Sequence, residues 1–246
     1  MRFGVLADIH SNLPALLECL RFLQEEKAEG YLVLGDMVGY GPYPNECLET
    51  VRALTGAQVI VGNHDWAVVD LEDIAFFNEE AAAAVQWTKS VLSPVNFQYL
   101  HTAHYVLANT QFMIVHGAPR DPLDEYLLST ESFKENLPFL KANICFVGHS
   151  HYPLYFYREK ETGELKQKDI MDLEEITLSA DAPVIINPGS VGQPRDGDKR
   201  ASFGIFDTQT MIFKLFRREY DIAAVQQEMK KQALPESLIN RLSEGK

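Results

Sequence analysis

The apolar residues fall in short blocks, and most blocks run straight into a polar or glycine-containing turn. Phe3-Gly-Val-Leu-Ala7 reads as a buried strand that stops at Asp8. From Leu13 to about Ala28 the apolar positions Leu16, Leu17, Leu20 and Leu23 recur at helical spacing. Asn12 suits the N-cap of that helix, Pro14 its first turn, and Gly30 its end. Tyr31–Leu34 is a second strand running into Gly35-Asp36, and Pro44 to Leu54 a second helix. Gln58–Val61 is a third strand running into Gly62-Asn63-His64-Asp65. This rhythm predicts a parallel sheet with helices on its faces, the polar residues collecting where the strands end.

The middle of the chain changes character. About 67–100 reads as a helical insert beside the strand ends, a cap or an interface, with aromatics at Phe76, Phe77 and Trp87. An ordinary core role is the simplest reading of those rings. Strands then resume at Tyr105–Ala108 and Phe112–Val115, flanking Asn109-Thr110 like a hairpin, and at Ile144–Val147, which ends at Gly148-His149. Tyr152–Tyr157 precedes a charged hairpin near Glu161-Thr-Gly163, and Val184–Ile186 leads into a Gly/Pro-rich loop at 187–197. Ser202–Phe206 and Thr210–Phe216 read as a late antiparallel pair, and the chain is helical from about Ile222. The expectation is one domain over 1–246 with a second sheet in its latter half.

Composition narrows the function classes. No apolar run reaches the ~18 residues that span a bilayer, so no membrane association is expected. The apolar N-terminus is too short for a signal segment, which points to a cytoplasmic protein. Cys19, Cys47 and Cys145 form no C-x-x-C pair and read as buried, reduced thiols. The net charge is −13 and no Lys/Arg cluster occurs, so an extended nucleic-acid partner is not expected. A nuclease would need such a basic track. Two divalent cations would add roughly four positive charges, so the acidity does not exclude a small phosphorylated substrate.

The candidate chemistry lies in five segments, each an apolar strand followed by metal-binding residue types. They are Asp8-Ile-His10, Gly35-Asp36, Gly62-Asn63-His64-Asp65, His116-Gly117 and Gly148-His149-Ser-His151. On an extended chain the i, i+2 spacing of Asp8/His10 and His149/His151 puts each pair on one face. Carboxylate, amide and imidazole donors suit Mn, Fe, Zn or Ni better than Mg or Ca alone, and the lack of a thiolate argues against a structural zinc site. His101 and His104 fall outside every motif and read as structural or exposed.

In that order, D-x-H, G-D, G-N-H-D, H-G and G-H-x-H, the series resembles the calcineurin-like metallophosphoesterases, from Asp8 to the late strands. The resemblance implies an α/β fold, a four-layer αββα sandwich of two mixed β-sheets, with a dinuclear site at one edge. Carried over residue by residue, Asp8, His10 and His151 would bind one metal, and Asn63, His116 and His149 the other. Asp36 would bridge both. Two divalent ions are implied, Mn foremost, with Fe, Zn and Ni also admitted by the donors. His64 is the candidate for assisting the leaving oxygen, as general acid or positioned cation.

Two departures narrow the group. Protein phosphatases of this fold carry Asp-Arg shortly after G-D, whereas Met37-Val38-Gly39-Tyr40 stands here, and Trp66 follows G-N-H-D. Segments 39–44 and 187–196 resemble small prokaryotic phosphodiesterases near the YfcE-like group. Arg195, Arg120, Asn187 and Ser190 are candidates for gripping or orienting the substrate, Arg195 and Asn187 foremost. The expected activity is dinuclear hydrolysis of a small phosphodiester or a nucleotide, a dinucleoside tetraphosphate being one version. The alternatives are a phosphomonoesterase or protein phosphatase, and a non-catalytic interaction scaffold on the same fold.

Overall fold

The computed structural model describes residues 1–246. β1 (Arg2–Leu6), β2 (Gly30–Leu34) and β3 (Ala57–Ile60) run parallel, joined through α1 (Leu13–Glu25) and α2 (Pro44–Arg52). α3 (Asn63–Val68), α4 (Glu79–Val91) and α5 (Pro94–Thr102) follow, with a 3-10 turn at Ile74–Phe76. β4 (Val106–Ala108) and β5 (Met113–Val115) form a hairpin. α6 (Thr130–Asn136), β6 (Ile144–Phe146), β7 (Pro153–Arg158), β8 (Leu165–Asp169), β9 (Glu175–Thr177) and β10 (Val184–Pro188) come next. β11 (Ala201–Asp207), β12 (Ile212–Arg218), α7 (Ile222–Lys231) and α8 (Glu236–Glu244) complete the chain.

Two six-stranded mixed sheets result, ordered β3-β2-β1-β11-β12-β9 and β4-β5-β6-β10-β7-β8. Strand alternation builds the layers. Phe3 and Val5 of β1 face the second sheet, in a core with Phe112, Phe146, Ile186, Phe206 and Phe213. Leu6 faces the other way, against Ala15, Leu16, Cys19 and Leu23 of α1. Phe133 of α6 covers the outer face of the second sheet with Cys145, Phe156 and Ile185. The architecture is therefore an αββα sandwich. α7 and α8 pair and pack Val225, Met229, Leu238 and Leu242 against Ala81 and Ala84 of α4 and against Tyr40. No helix is long and apolar enough to cross a membrane.

Several elements differ from the sequence expectation for identifiable reasons. α1 stops at Glu25 because Lys27 takes a left-handed φ of 58°. The late pair β11/β12 joins the first sheet, with β11 antiparallel to β1 (Phe3 opposite Phe206), rather than the second. β8 is the half-exposed edge strand LKQKD, which carries no apolar signal. Phe76 is 85% exposed and so is no core residue. All three cysteines are buried and free.

Candidate active site

The C-terminal ends of β1, β2, β3, β5, β6 and β10 deliver Asp8, Asp36, Asn63, His116, His149 and Asn187 to one edge of the sandwich. Bonds across the sheets pin that edge. The amide of His149 donates to Asp8 Oδ1 (3.0 Å), that of Gly148 to the His116 carbonyl (2.8 Å), and Ser190 Oγ–H to the Asp8 carbonyl (2.8 Å).

The chain is not extended where the donors stand. Asp8, His10, Asp36, His149 and His151 have φ of 53°, 48°, 50°, 65° and 62°. The same-face argument for Asp8/His10 and His149/His151 is thus replaced by a tight left-handed turn that folds each pair inward. Such backbone costs of order 1–3 kcal/mol per residue and persists only where its surroundings fix it. Here His10 N–H donates to the Asp36 carbonyl (2.9 Å), Ser11 N–H to Met37 (3.0 Å) and Gly192 N–H to Asp8 (2.9 Å). Gly62 is required for a different reason: a Cβ there would stand 2.2 Å from Asp36 Oδ1.

Two donor groups form, Asp8/His10/His151 and Asp36/His116/His149, each with ligand atoms within 4.8 Å of one another. Asp36 Oδ2 lies 3.6 Å from His10 Nε2 and 3.3 Å from His116 Nε2, against both groups. Each imidazole turns its other nitrogen to a backbone carbonyl. His10 Nδ1 meets Val38 (3.1 Å), His151 Nδ1 meets Gln193 (2.6 Å), His116 Nδ1 meets Leu34 (2.8 Å) and His149 Nε2 meets Asp124 (3.1 Å). A carbonyl only accepts, so those nitrogens carry protons, and in the neutral rings of His10, His149 and His151 the opposite ones present lone pairs. The lone pairs of His10 Nε2 and His151 Nε2 then face each other at 3.0 Å. Asp8 Oδ2, Asn63 Oδ1 and His116 Nε2 are buried without a hydrogen-bond partner. Each such orphan costs about 1–3 kcal/mol. Carboxylate, amide and imidazole groups that converge with buried acceptors left unpaired are the environment that a divalent cation satisfies, so these residues fit two such ions.

The titration of the group follows from burial and proximity. Burial lifts the Asp8 carboxyl to about 7. Burial also opposes charge on Asp36, yet His116, His64 and His10 hold it well below the usual carboxylate range. Burial disfavours charge on His116, but the Asp36 carboxylate outweighs this and lifts the ring to about 9. Burial pushes His10 and His151 well down and His149 to about 3, leaving neutral donors.

His64 stands in the first turn of α3, its amide donating to Asp36 Oδ1 (2.9 Å). Its ring is boxed by His10, Tyr40 and Phe77 at 4.5–5.0 Å, and its Nδ1 has no partner. Burial lowers it to about 4, so the ring is neutral near pH 7. A neutral imidazole can donate a hydrogen bond.

A cavity of about 440 Å³ opens over both donor groups and is lined by Asp36, Asn63, His64, His149, His151 and Arg195 among others. Arg195 donates to Gln193 Oε1 (3.1 Å) and Tyr40 Oη (3.4 Å). Asn187 does not line this cavity: its amide donates to the Gly148 carbonyl (2.5 Å) and Ser150 Oγ (3.0 Å), and its Oδ1 accepts from Gly189 N–H (2.8 Å). That side chain orients the His149 loop, which corrects the substrate-binding reading. Arg120 is spent on Glu125 and Glu135 outside the cavity. Sequence reasoning missed Glu72, Asp124 and Tyr126, which line the cavity without belonging to a motif, and gave no role to Tyr40 within segment 39–44. It also missed Asp65, whose carboxylate accepts from the amides of Met37, Val38 and Gly62 (3.2, 3.0 and 3.1 Å) and so ties the Asp36 turn to α3. Its place within G-N-H-D was the available signal.

The sequence profile of the calcineurin-like phosphoesterase superfamily domain matches residues 1–211. The uncharacterized protein MJ0912 of Methanocaldococcus jannaschii is 37% identical over 248 residues, covering 99% of this chain and 98% of its own. The crystal structure of a metallophosphoesterase from Sphaerobacter thermophilus superposes with a TM-score of 0.90 at 39% identity, covering 100% of this chain and 99% of that one. Phosphodiesterase YfcE of Escherichia coli is 25% identical over 218 residues, 86% of this chain and 90% of that protein.

Proposed function

Since the chain belongs to the calcineurin-like phosphoesterase superfamily, we propose that it hydrolyses a small phosphodiester or nucleotide with the help of two divalent cations. The observation that carries this reading is Asp36, whose Oδ2 stands between two sets of donors that face inward with unpaired acceptors. Asp8, His10 and His151 would hold one ion, Asn63, His116 and His149 the other, and Asp36 both. Bound there, the ions supply Lewis acidity, which lowers the pKa of a water and neutralises charge on the phosphoryl oxygens.

The chain's own residues account for the rest. Arg195 is the one cationic side chain lining the cavity and pairs with a non-bridging phosphoryl oxygen. Tyr40 and Gln193 hold its guanidinium in place. His64, neutral and walled by aromatic rings, donates a hydrogen bond to the leaving oxygen as charge develops there. Manganese suits this carboxylate, amide and imidazole set, as Fe, Zn and Ni also do.

The test is hydrolysis of bis-p-nitrophenyl and p-nitrophenyl phosphate by metal-stripped protein refilled with Mn²⁺. Turnover that depends on Mn²⁺ and vanishes in Asp36→Asn is expected, faster on the diester. Equal turnover with and without metal would refute the mechanism.

A further inference from the structure

The walls of the cavity are unusual for a protein that handles phosphate. Among the side chains lining it there is one arginine and no lysine. Two carboxylates line it besides Asp36, Glu72 from the segment after α3 and Asp124 from the loop after β5. Neither takes part in any ion pair of the structure. The Glu72 carboxylate accepts only from the neighbouring amide of Asp73 (3.0 Å). Asp124 belongs to the site's frame, since its backbone carbonyl accepts from His149 Nε2–H (3.1 Å). The same segments contribute two exposed rings. Phe76 is 85% exposed, and Tyr126 is 50% exposed while packing on His149 with 3.9 Å between ring centroids. A large apolar ring left open on a cavity wall is one that a flat ligand can cover.

We propose, on the basis of the phosphoesterase reading above, that the cavity selects esters of a single phosphate whose organic group is flat and bears N–H or O–H donors. Linked phosphates are rejected. Glu72 and Asp124 are the specificity-determining residues. Two cations and Arg195 suffice for one phosphate and its reacting oxygens. Each further phosphate of a chain adds negative charge to a wall that already holds two carboxylates outside any ion pair. At the spacings a cavity of this size allows, one such repulsion changes affinity by about tenfold or more. The same carboxylates accept from exocyclic amines or ribose hydroxyls at little cost, and Phe76 and Tyr126 supply stacking surface.

The test uses the full-length Mn²⁺-loaded chain and two ligands with the same bases, adenylyl-adenosine with one phosphate and diadenosine tetraphosphate with four. The kcat/KM for the single-phosphate ester should exceed that for the tetraphosphate at least tenfold. In Glu72→Gln/Asp124→Asn that ratio should fall at least tenfold. A tetraphosphate cleaved as well as the monophosphate, or a ratio unmoved in the double variant, overturns the inference while leaving the phosphoesterase reading standing. If neither compound nor bis-p-nitrophenyl phosphate is cleaved, it is the phosphoesterase reading that fails. Binding decides the inference in that event. Calorimetry on the metal-free chain should show ATP gaining at least tenfold in affinity in the double variant and AMP less than threefold. Equal gains overturn it.

Discussion

Gly62→Ala adds one methyl group and tests whether the geometry of Asp36 governs the site. Gly62 has φ −107° and ψ −175°, so alanine is tolerated by the backbone itself. The obstacle is space. Its Cβ would lie 2.2 Å from Asp36 Oδ1, 2.7 Å from Asp36 N and 2.8 Å from Asp36 Cγ. Cβ atoms essentially never approach within 3.0 Å, so the carboxylate oxygen must retreat by about 0.8 Å. That oxygen also accepts from His64 N–H at 2.9 Å, a bond the retreat breaks. Hydrogen bonds to charged groups are worth about 1.5–3 kcal/mol, and for a chain of this size each kcal/mol moves Tm by roughly 2–4 °C. The expected stability loss is therefore about 2–3 kcal/mol, and Tm falls by roughly 4–12 °C. Misplacing a reacting group by about 1 Å costs on the order of 100-fold in rate. Elemental analysis of metal per chain, kcat on bis-p-nitrophenyl phosphate, and Tm with and without Mn²⁺ read the three effects. A variant that holds two metals per chain and turns over within threefold of wild type refutes the claim.

Asp65→Asn keeps the shape of the side chain but turns one acceptor oxygen into a donor facing a backbone N–H, so about 2–3 kcal/mol should be lost in urea unfolding. A loss below about 0.5 kcal/mol would show that the three bonds do not carry the turn. Metal uptake should release protons. His116, held up at about 9, keeps its proton at neutral pH, and Asp8, at about 7, is partly protonated. Coordination needs both bare, so near pH 7 about one to two protons leave per chain and affinity climbs as pH rises towards 9. Calorimetry in two buffers of different ionisation enthalpy measures this, and a heat independent of buffer contradicts it. Burial pushes all three thiols up, so none should react with an aromatic disulfide reagent in the native chain and all three should react in guanidinium. Rapid labelling of any one in the native state would place that residue at the surface.

Much of this was legible in the sequence because one rule served twice. A continuous apolar run marks a buried strand, and the residue that ends it is placed at the sheet's edge, so locating β1, β2, β3, β5 and β6 also located Asp8, Asp36, Asn63, His116 and His149. What stayed hidden has no periodic or compositional signature. The left-handed φ of Asp8, His10, Asp36, His149 and His151 leaves no periodic signal, and bonds such as that from His10 N–H to the Asp36 carbonyl help to hold it. The pairing of β11 with β1 depends on which of two sheets has an open neighbour. Asn187 and Arg195 look equally available in one polar loop, and only the fold spends the first on Gly148 and aims the second into the cavity. Glu72, Phe76, Asp124 and Tyr126 stand in segments with no motif, so substrate selectivity is the part least readable from sequence.

The bonds that build the site are also those that join the two sheets at this edge. Asp8 shows why this matters. One of its oxygens accepts the amide of His149 from the second sheet, its carbonyl accepts Ser190 Oγ–H and Gly192 N–H, and its other oxygen is left without a partner among buried groups. A frame of this kind fixes donor positions before any ion arrives, at the cost of facing lone pairs at His10 and His151 and an orphaned acceptor at Asn63. Ligands that bind only the folded chain stabilise it by RT ln(1 + [L]/Kd), which is about 4 kcal/mol at a thousandfold excess over Kd. The repulsion relieved by a cation and the registry of the sheets therefore belong to one energy term. It follows that a substitution loosening the sheet-to-sheet contact, such as Ser190→Ala, should weaken metal binding even though Ser190 ligates nothing. The same substitution should lower Tm more in the presence of Mn²⁺ than in its absence. Equal Tm losses in the two conditions would mean that the sheets hold their registry independently of the site.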